Sequence, residues 1–214
     1  MMEITFKNSG FKTVFEQKIV DLAASTESTM MDKVELLYLA ASVQAAKLLE
    51  TDIIVEIGAL DGKTTVFLHQ ILNFLGDEIT PILSIDPFER CIPGELNPAG
   101  IYQRYLDNTL KVNAAHRCMP LIAFSQDAYK FVGNNIGLLI IDGCHHYEAI
   151  SNDLRLYSNK VRSGGIIFID DYQQDVFPDV YRAVNEFMTD NSSYNVLHKS
   201  WFFIAQKTVN SINN

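Results

Sequence analysis

Carboxylates close two of the most apolar stretches of the sequence. Ile136–Ile141 is followed by Asp142, and Gly165–Ile169 by Asp170 and Asp171. Apolar runs of this length, bounded by polar residues, read as buried strands. Neighbouring strands lie about 4.8 Å apart, so if these two pair, three carboxylates converge on one small site. Two unit charges about 4 Å apart repel by roughly 4 kcal/mol at an effective dielectric near 20. A hard divalent cation held by oxygen ligands, Mg2+ or Mn2+, resolves that repulsion. The competing account is that one or two of these acids cap the helix or loop that follows. His145 and His146 come just after Asp142. Histidine is suited to taking a proton near neutrality. A zinc-type site using both histidines is the alternative, but a carboxylate-rich set favours Mg2+ or Mn2+.

A second constellation is I-V-E-I-G-A-L-D-G-K-T-T, residues 54–65. Glu56 falls within a strand, Gly58 ends it, and Gly62 opens a helix. Glycine allows a tight turn and close approach to a ligand. Thr64 and Thr65 bring hydroxyls and amides to the helix start. This spacing is not the G-x-G-x-x-G of a dinucleotide site, and no full Walker frame occurs. Asp86 follows the strand P-I-L-S-I. An acid there accepts hydrogen bonds from ribose hydroxyls, or else caps a turn. In F-S-Q-D, residues 124–127, Ser125 and Asp127 are helix-cap candidates. Gln126 offers the donor and acceptor that suit an adenine edge.

These residues need a frame, and the chain alternates short apolar runs with helical stretches. The expected strands are Ile53–Ile57, Pro81–Ile85, Met119–Phe124, Ile136–Ile141 and Gly165–Ile169, with Tyr194–His198 and Trp201–Gln206 as a closing pair. Helices are expected at 32–50, 64–74, 102–115, 128–132, 147–161 and 180–188. Continuous apolar strands alternating with helices specify a parallel sheet covered on both faces. The last two strands lack a helix between them and should pair antiparallel at an edge. Ligands in such folds sit beyond the carboxyl ends of the strands, where all the residues above fall. Residues 1–31 are expected as a helical lead, with apolar residues at helical spacing over Phe11–Ala24. Residues 32–214 form the main domain.

Composition sets the bounds. The 214 residues are 48% hydrophobic and 20% charged, the balance of one folded domain. Lys and Arg number 17 against 26 Asp and Glu, a net charge of −9. With no basic cluster, neither nucleic acid nor an anionic membrane surface is an expected partner. No apolar run is long enough to span a bilayer, and the N-terminus lacks the apolar core of a signal peptide. Cys91, Cys118 and Cys144 form no disulfide framework and no C-x-x-C pair. They are expected as reduced thiols in a cytoplasmic protein.

With these motifs together, the chain resembles the class I S-adenosylmethionine-dependent methyltransferases over residues 32–207. V-E-I-G-A-L-D-G resembles that superfamily's first motif. I-D-G-C-H-H-Y-E-A-I-S-N-D-L and G-G-I-I-F-I-D-D-Y resemble its metal-dependent small-molecule O-methyltransferase branch, which acts on macrolide sugars. Catechol O-methyltransferase is similar in plan, including an S-Q-D segment. The resemblance implies a Rossmann-like, seven-stranded, mostly parallel sheet with an antiparallel edge strand and helices on both faces. It implies that Glu56, Gly58, Gly62 and Thr64 hold the methionine end of S-adenosyl-L-methionine, and that Asp86 binds the ribose. Ser125 and Gln126 would lie by the adenine. Asp142 would serve both the cofactor and the metal, with Asp170 and Asp171 completing an Mg2+ site.

His145 would be the general base for a hydroxyl on a small molecule, a sugar, diol or catechol; His146 is the second candidate. A substrate lid would come from the lead or from Cys91–Gly100, and the lead could also form a homodimer surface. Two other classes remain: a cofactor-binding or interaction protein on the same fold without catalysis, and a nicotinamide-dependent oxidoreductase.

Overall fold

The computed structural model describes residues 1–26, 31–89 and 98–208. Strand β3 (Ile53–Ile57) lies in the middle of a seven-stranded sheet, with β4 (Ile82–Asp86) and β5 (Cys118–Ile122) on one side. On its other side lie β6 (Ile136–Ile141), β7 (Val161–Ile169), β9 (Phe203–Lys207) and, at the edge, β8 (Tyr194–Lys199). The order is β5-β4-β3-β6-β7-β9-β8. Strands β3 to β7 are parallel, and β9 enters antiparallel between β7 and β8. The expected Rossmann-like sheet is therefore present, and its one reversed strand is the last in the chain.

Every residue of β6 is buried, as a strand covered on both faces requires. Side chains alternate between those faces. Ile54, Leu138, Ile140, Ile166 and Phe168 join one core with α2 (Lys33–Ala46) and α3 (Lys63–Phe74). Val55, Leu139, Ile141, Ile167 and Ile169 join the other, with α6 (Tyr147–Tyr157) and α7 (Pro178–Asp190). Between β4 and β5 runs α4 (Pro98–Lys111), and α5 (Ser125–Ala128) is a single turn after β5.

Helix α2 starts at Asp32, whose carboxylate accepts the amides of Val34 and Glu35 while Glu35 accepts the Asp32 amide in return. That reciprocal cap satisfies donors otherwise orphaned at a helix start. The helix ends at Lys47 in a left-handed turn, short of the expected Glu50.

The lead is not helical from Phe11. A hairpin of β1 (Met2–Phe6) and β2 (Phe11–Phe15) comes first, and only then α1 (Gln17–Thr26). F-K-T-V-F satisfies a period of two as well as a helical one, and pairing with M-E-I-T-F decides between them. Phe6, Phe15, Ile19, Val20 and Ala23 are buried in the core shared by α2 and α3. Residues 90–97, most of the candidate lid, lie outside the described residues. Among those described, no helix is long and apolar enough to cross a membrane. Cys118 and Cys144 are free thiols.

Candidate active site at the strand ends

Register builds the site. Ile57 pairs with Ile141, and Ile141 with Ile169. The next residues, Gly58, Asp142 and Asp170, therefore stand side by side. The Asp142 amide donates to the Ile57 carbonyl at 2.9 Å and the Asp170 amide to Ile141 at 3.0 Å. Glu56, Asp142 and Asp170 follow two residues after Ile54, Ile140 and Phe168, so the pleat turns all three carboxyls toward α2 and α3.

Gly58 is required where it stands. Its φ is +90°, and a Cβ would fall 2.0 Å from the Asp142 carbonyl oxygen. Gly62, with φ +77°, precedes α3, and a Cβ there would meet the Tyr105 ring at 2.7 Å. Leu60 between them is also left-handed. Its amide donates to Asp86 Oδ2 at 2.8 Å, while the Phe88 amide donates to Oδ1 at 2.5 Å. Asp86 thus holds the glycine turn in place at the end of β4. Thr64 is half-buried in the first turn of α3.

Glu56 sits beneath this turn. Its Oε2 accepts the hydroxyls of Thr65 at 2.5 Å and Ser84 at 2.9 Å, and Tyr105 donates to Ser84 at 3.0 Å. Oε1 is buried without a partner. Burial pushes the Glu56 carboxyl up to about 7, against the pull of the two hydroxyls.

Asp142, Asp171 and His145 each place a ligand atom within 4.8 Å of the others. His145 Nε2 lies 2.8 Å from Asp171 Oδ2, and its ring packs on Phe177, 4.5 Å between centroids. His146 is exposed. Asp170 corrects the expectation of three converging carboxylates. Asp170 and Asp171 are consecutive, so they cannot share a face. Asp171 reaches the cluster only because its φ of +56° breaks the strand. Asp170 Oδ1 accepts the Asp171 amide at 2.8 Å, steadying that turn. Its other oxygen is buried without a hydrogen-bond donor, and its carboxyl packs against that of Glu35 on α2.

The Asp142 carboxyl is raised well above its ordinary value by burial first, then by the charges of Asp171, Glu56, Glu35 and Asp86. Asp170 and Glu35 are raised as well, both chiefly by burial. So many confined acids make a site for positive charge. Sequence patterning does not single out Glu35. An acid at the third helical position signals a capping box, and nothing local signals that it also reaches β7.

On the far side, Ser125 is half-buried and Gln126 exposed. Neither Ser125 nor Asp127 caps α5: Phe124 holds that position without a side-chain bond. Ser125 is instead tied to α6 through its backbone. Tyr157 donates to its carbonyl at 2.7 Å.

The family model of a methyltransferase domain matches residues 55–172, more than half of the chain. An uncharacterized protein of Acanthamoeba polyphaga mimivirus is 32% identical over 143 residues, 64% of this chain. The match spans 59% of that protein. Among solved structures, the O-methyltransferase NovP superposes with a TM-score of 0.63 at 16% identity, covering 85% of this chain and 82% of NovP. An S-adenosylhomocysteine-bound Podospora anserina methyltransferase gives 0.66 at 11% identity, covering 91% and 89%. At such identities these two similarities speak for the fold.

Proposed function

Since the chain belongs to the methyltransferase-domain family, we propose that it moves a methyl group from S-adenosyl-L-methionine to a hydroxyl of a small molecule. The observation that carries this reading is the approach of Asp142, Asp171 and His145 to within 4.8 Å at the end of β6, beside the Gly58 turn. Two fold neighbours support it: NovP is an O-methyltransferase, and the Podospora anserina methyltransferase is bound to S-adenosylhomocysteine, the demethylated cofactor.

The donor chemistry fits both positively charged components. The methionine end of the cofactor would lie along Gly58 and Gly62, its carboxylate toward Thr64 at the start of α3. Its ammonium and sulfonium would face the side from which Glu56, Asp86 and Asp142 project. The ribose would meet Asp86, and the adenine Ser125 and Gln126. The two carboxylates of that cluster suit a divalent cation, Mg2+ or Mn2+. Asp142 and Asp171 would hold it. Such an ion supplies Lewis acidity, lowering the pKa of a hydroxyl bound beside it.

The sulfonium already makes the methyl electrophilic, so the chain has two tasks. It aims the hydroxyl in line with the methyl, and it removes the proton. His145 takes that proton, with Phe177 holding the ring and Asp171 orienting Nε2. General base catalysis of this kind contributes about 10²- to 10⁴-fold. A vicinal diol, sugar or catechol suits the site, because two adjacent oxygens share one ion. Neither nucleic acid nor a membrane takes part in this reading, which places the protein in the cytoplasm as a monomer or homodimer.

The test is methyl transfer from labelled cofactor to a panel of diols, sugars and catechols, with Mg2+ and with EDTA. Label transfer to a hydroxyl, lost in EDTA, supports the reading. Transfer unchanged by EDTA removes the ion from it, and no transfer to any hydroxyl removes the acceptor class.

A further inference from the structure

His145 stands just before α6, and α6 has no side-chain cap of its own. His146 occupies the cap position without bonding a helix amide. The first N–H groups of a helix need acceptors from outside it. For Tyr147, the first residue of α6, the acceptor comes from another helix: its amide donates to Asp179 Oδ2 at 3.2 Å. Asp179 lies in the first turn of α7, just after Pro178, and is half-buried. Two residues before it, Phe177 packs on the His145 ring. One turn of α7 therefore holds both the imidazole and the helix start behind it. The same turn is tied to Asp171: the Gln173 amide donates to the Asp171 carbonyl at 2.8 Å, and the Phe177 amide to the Gln173 carbonyl at 2.7 Å. Two further residues on this face of α7 reach Tyr147. The Arg182 guanidinium lies 3.7 Å over its ring, and its hydroxyl donates to Glu186. Arg182 and Glu186 are both more than half exposed, where water leaves such contacts little net worth. The half-buried Asp179 carboxylate, at the positive end of α6, is the stronger hold.

We propose that Asp179 is a positioning residue for methyl transfer. By capping α6 from α7 it fixes where that helix begins, and with it the approach of His145 Nε2 to Asp171. This rests on the reading of His145 as the general base. Without the carboxylate the Tyr147 amide loses its acceptor, the start of α6 opens more often, and the imidazole loses its fixed seat against Phe177. A misplacement of about 1 Å at a reacting group costs up to about 100-fold in rate.

The experiment follows Tyr147 amide exchange and the His145 ring signals by NMR in the wild type, Asp179→Ala, Asp179→Asn and Asp77→Ala. The ring signals are assigned by their loss in His145→Ala. Asp77 accepts the amides of Ile79 and Thr80 in the turn before β4, at the opposite end of the parallel strands, so its variant controls for lost stability alone. Asp179→Ala should speed exchange at Tyr147 by at least about tenfold and should shift and broaden the His145 ring signals. Asparagine keeps an oxygen that accepts, so Asp179→Asn should stay within about threefold of the wild type, with its ring signals unmoved. In label transfer to catechol with Mg2+, Asp179→Ala should lower kcat by about 10- to 100-fold, with KM and the affinity for S-adenosylhomocysteine held within about threefold. Wild-type exchange and ring signals in Asp179→Ala overturn the inference. So does an asparagine variant that behaves as alanine, an Asp77→Ala variant that moves the ring signals as far, or a kcat that stays at the wild-type value while those signals move. Absence of methyl transfer to any hydroxyl in the wild type instead overturns the reading on which the inference rests, a result that the NMR readouts neither need nor imitate.

Discussion

Glu56→Gln removes a buried charge while keeping the shape of the group. The amide oxygen still accepts from Thr65 and Ser84, the two hydroxyls that hold Oε2. Burial lifts the wild-type carboxyl from its ordinary 4.5 to about 7. The folded state therefore keeps its proton after the unfolded state has lost it. Stability from this group is full below about pH 4.5 and falls as pH rises to about 7, after which the loss is complete. At about 1.4 kcal/mol for each factor of ten, the group costs the wild type about 2.5 kcal/mol more at pH 8 than at pH 5. Glutamine does not titrate. Urea unfolding of both proteins at pH 5, 6, 7 and 8 should show the variant gaining on the wild type by that amount. Asp170 and Glu35 are common to both proteins; Asp142, raised in part by the Glu56 charge, is relieved in the variant, which adds to the gain in the same direction. If the two stabilities run parallel from pH 5 to pH 8, Glu56 is not a buried acid of raised pKa, and the electrostatic picture of the crevice fails with it.

Three further outcomes follow from the same geometry. His145→Ala should lower kcat by about 10²- to 10⁴-fold, while His146→Ala, at an exposed position, should stay close to wild type; steady-state kinetics at neutral pH distinguishes them, and the reverse order would move the base to His146. Asp171→Ala should abolish the response of methyl transfer to added Mg2+ with little change in calorimetric affinity for S-adenosylhomocysteine; a Mg2+ response kept intact would take Asp171 out of the site. Gly58→Ala puts a Cβ 2.0 Å from the Asp142 carbonyl oxygen and should cost at least about 2 kcal/mol in urea unfolding, and an unchanged midpoint would mean that the turn has room the structure does not show.

Periodicity and strand-end position make much of this legible. Gly58, Asp86 and Asp142 can be placed at strand ends from apolar runs alone, because parallel strands buried on both faces leave most of their polar residues where they stop. What sequence does not settle is direction. Asp170 and Asp171 look equivalent as letters, yet the pleat sends one toward Glu35, and a left-handed turn sends the other toward His145. Glu35 lies more than a hundred residues from Asp170 in sequence, and only the packing of α2 on β7 joins them. Ser125 has the spacing of a helix cap; its carbonyl is instead held by Tyr157 on another helix, a contact that no local spacing encodes. The hairpin at the N-terminus is hidden because five residues fit either period, and its partner strand decides.

The most direct measurement is isothermal titration calorimetry of the protein with S-adenosylhomocysteine, in the presence and absence of Mg2+. A crevice built from the Gly58 turn, Asp86 and Ser125 predicts saturable one-site binding with a Kd in the micromolar range under both conditions. No heat of binding under either condition would contradict the claim that these strand ends form a cofactor site.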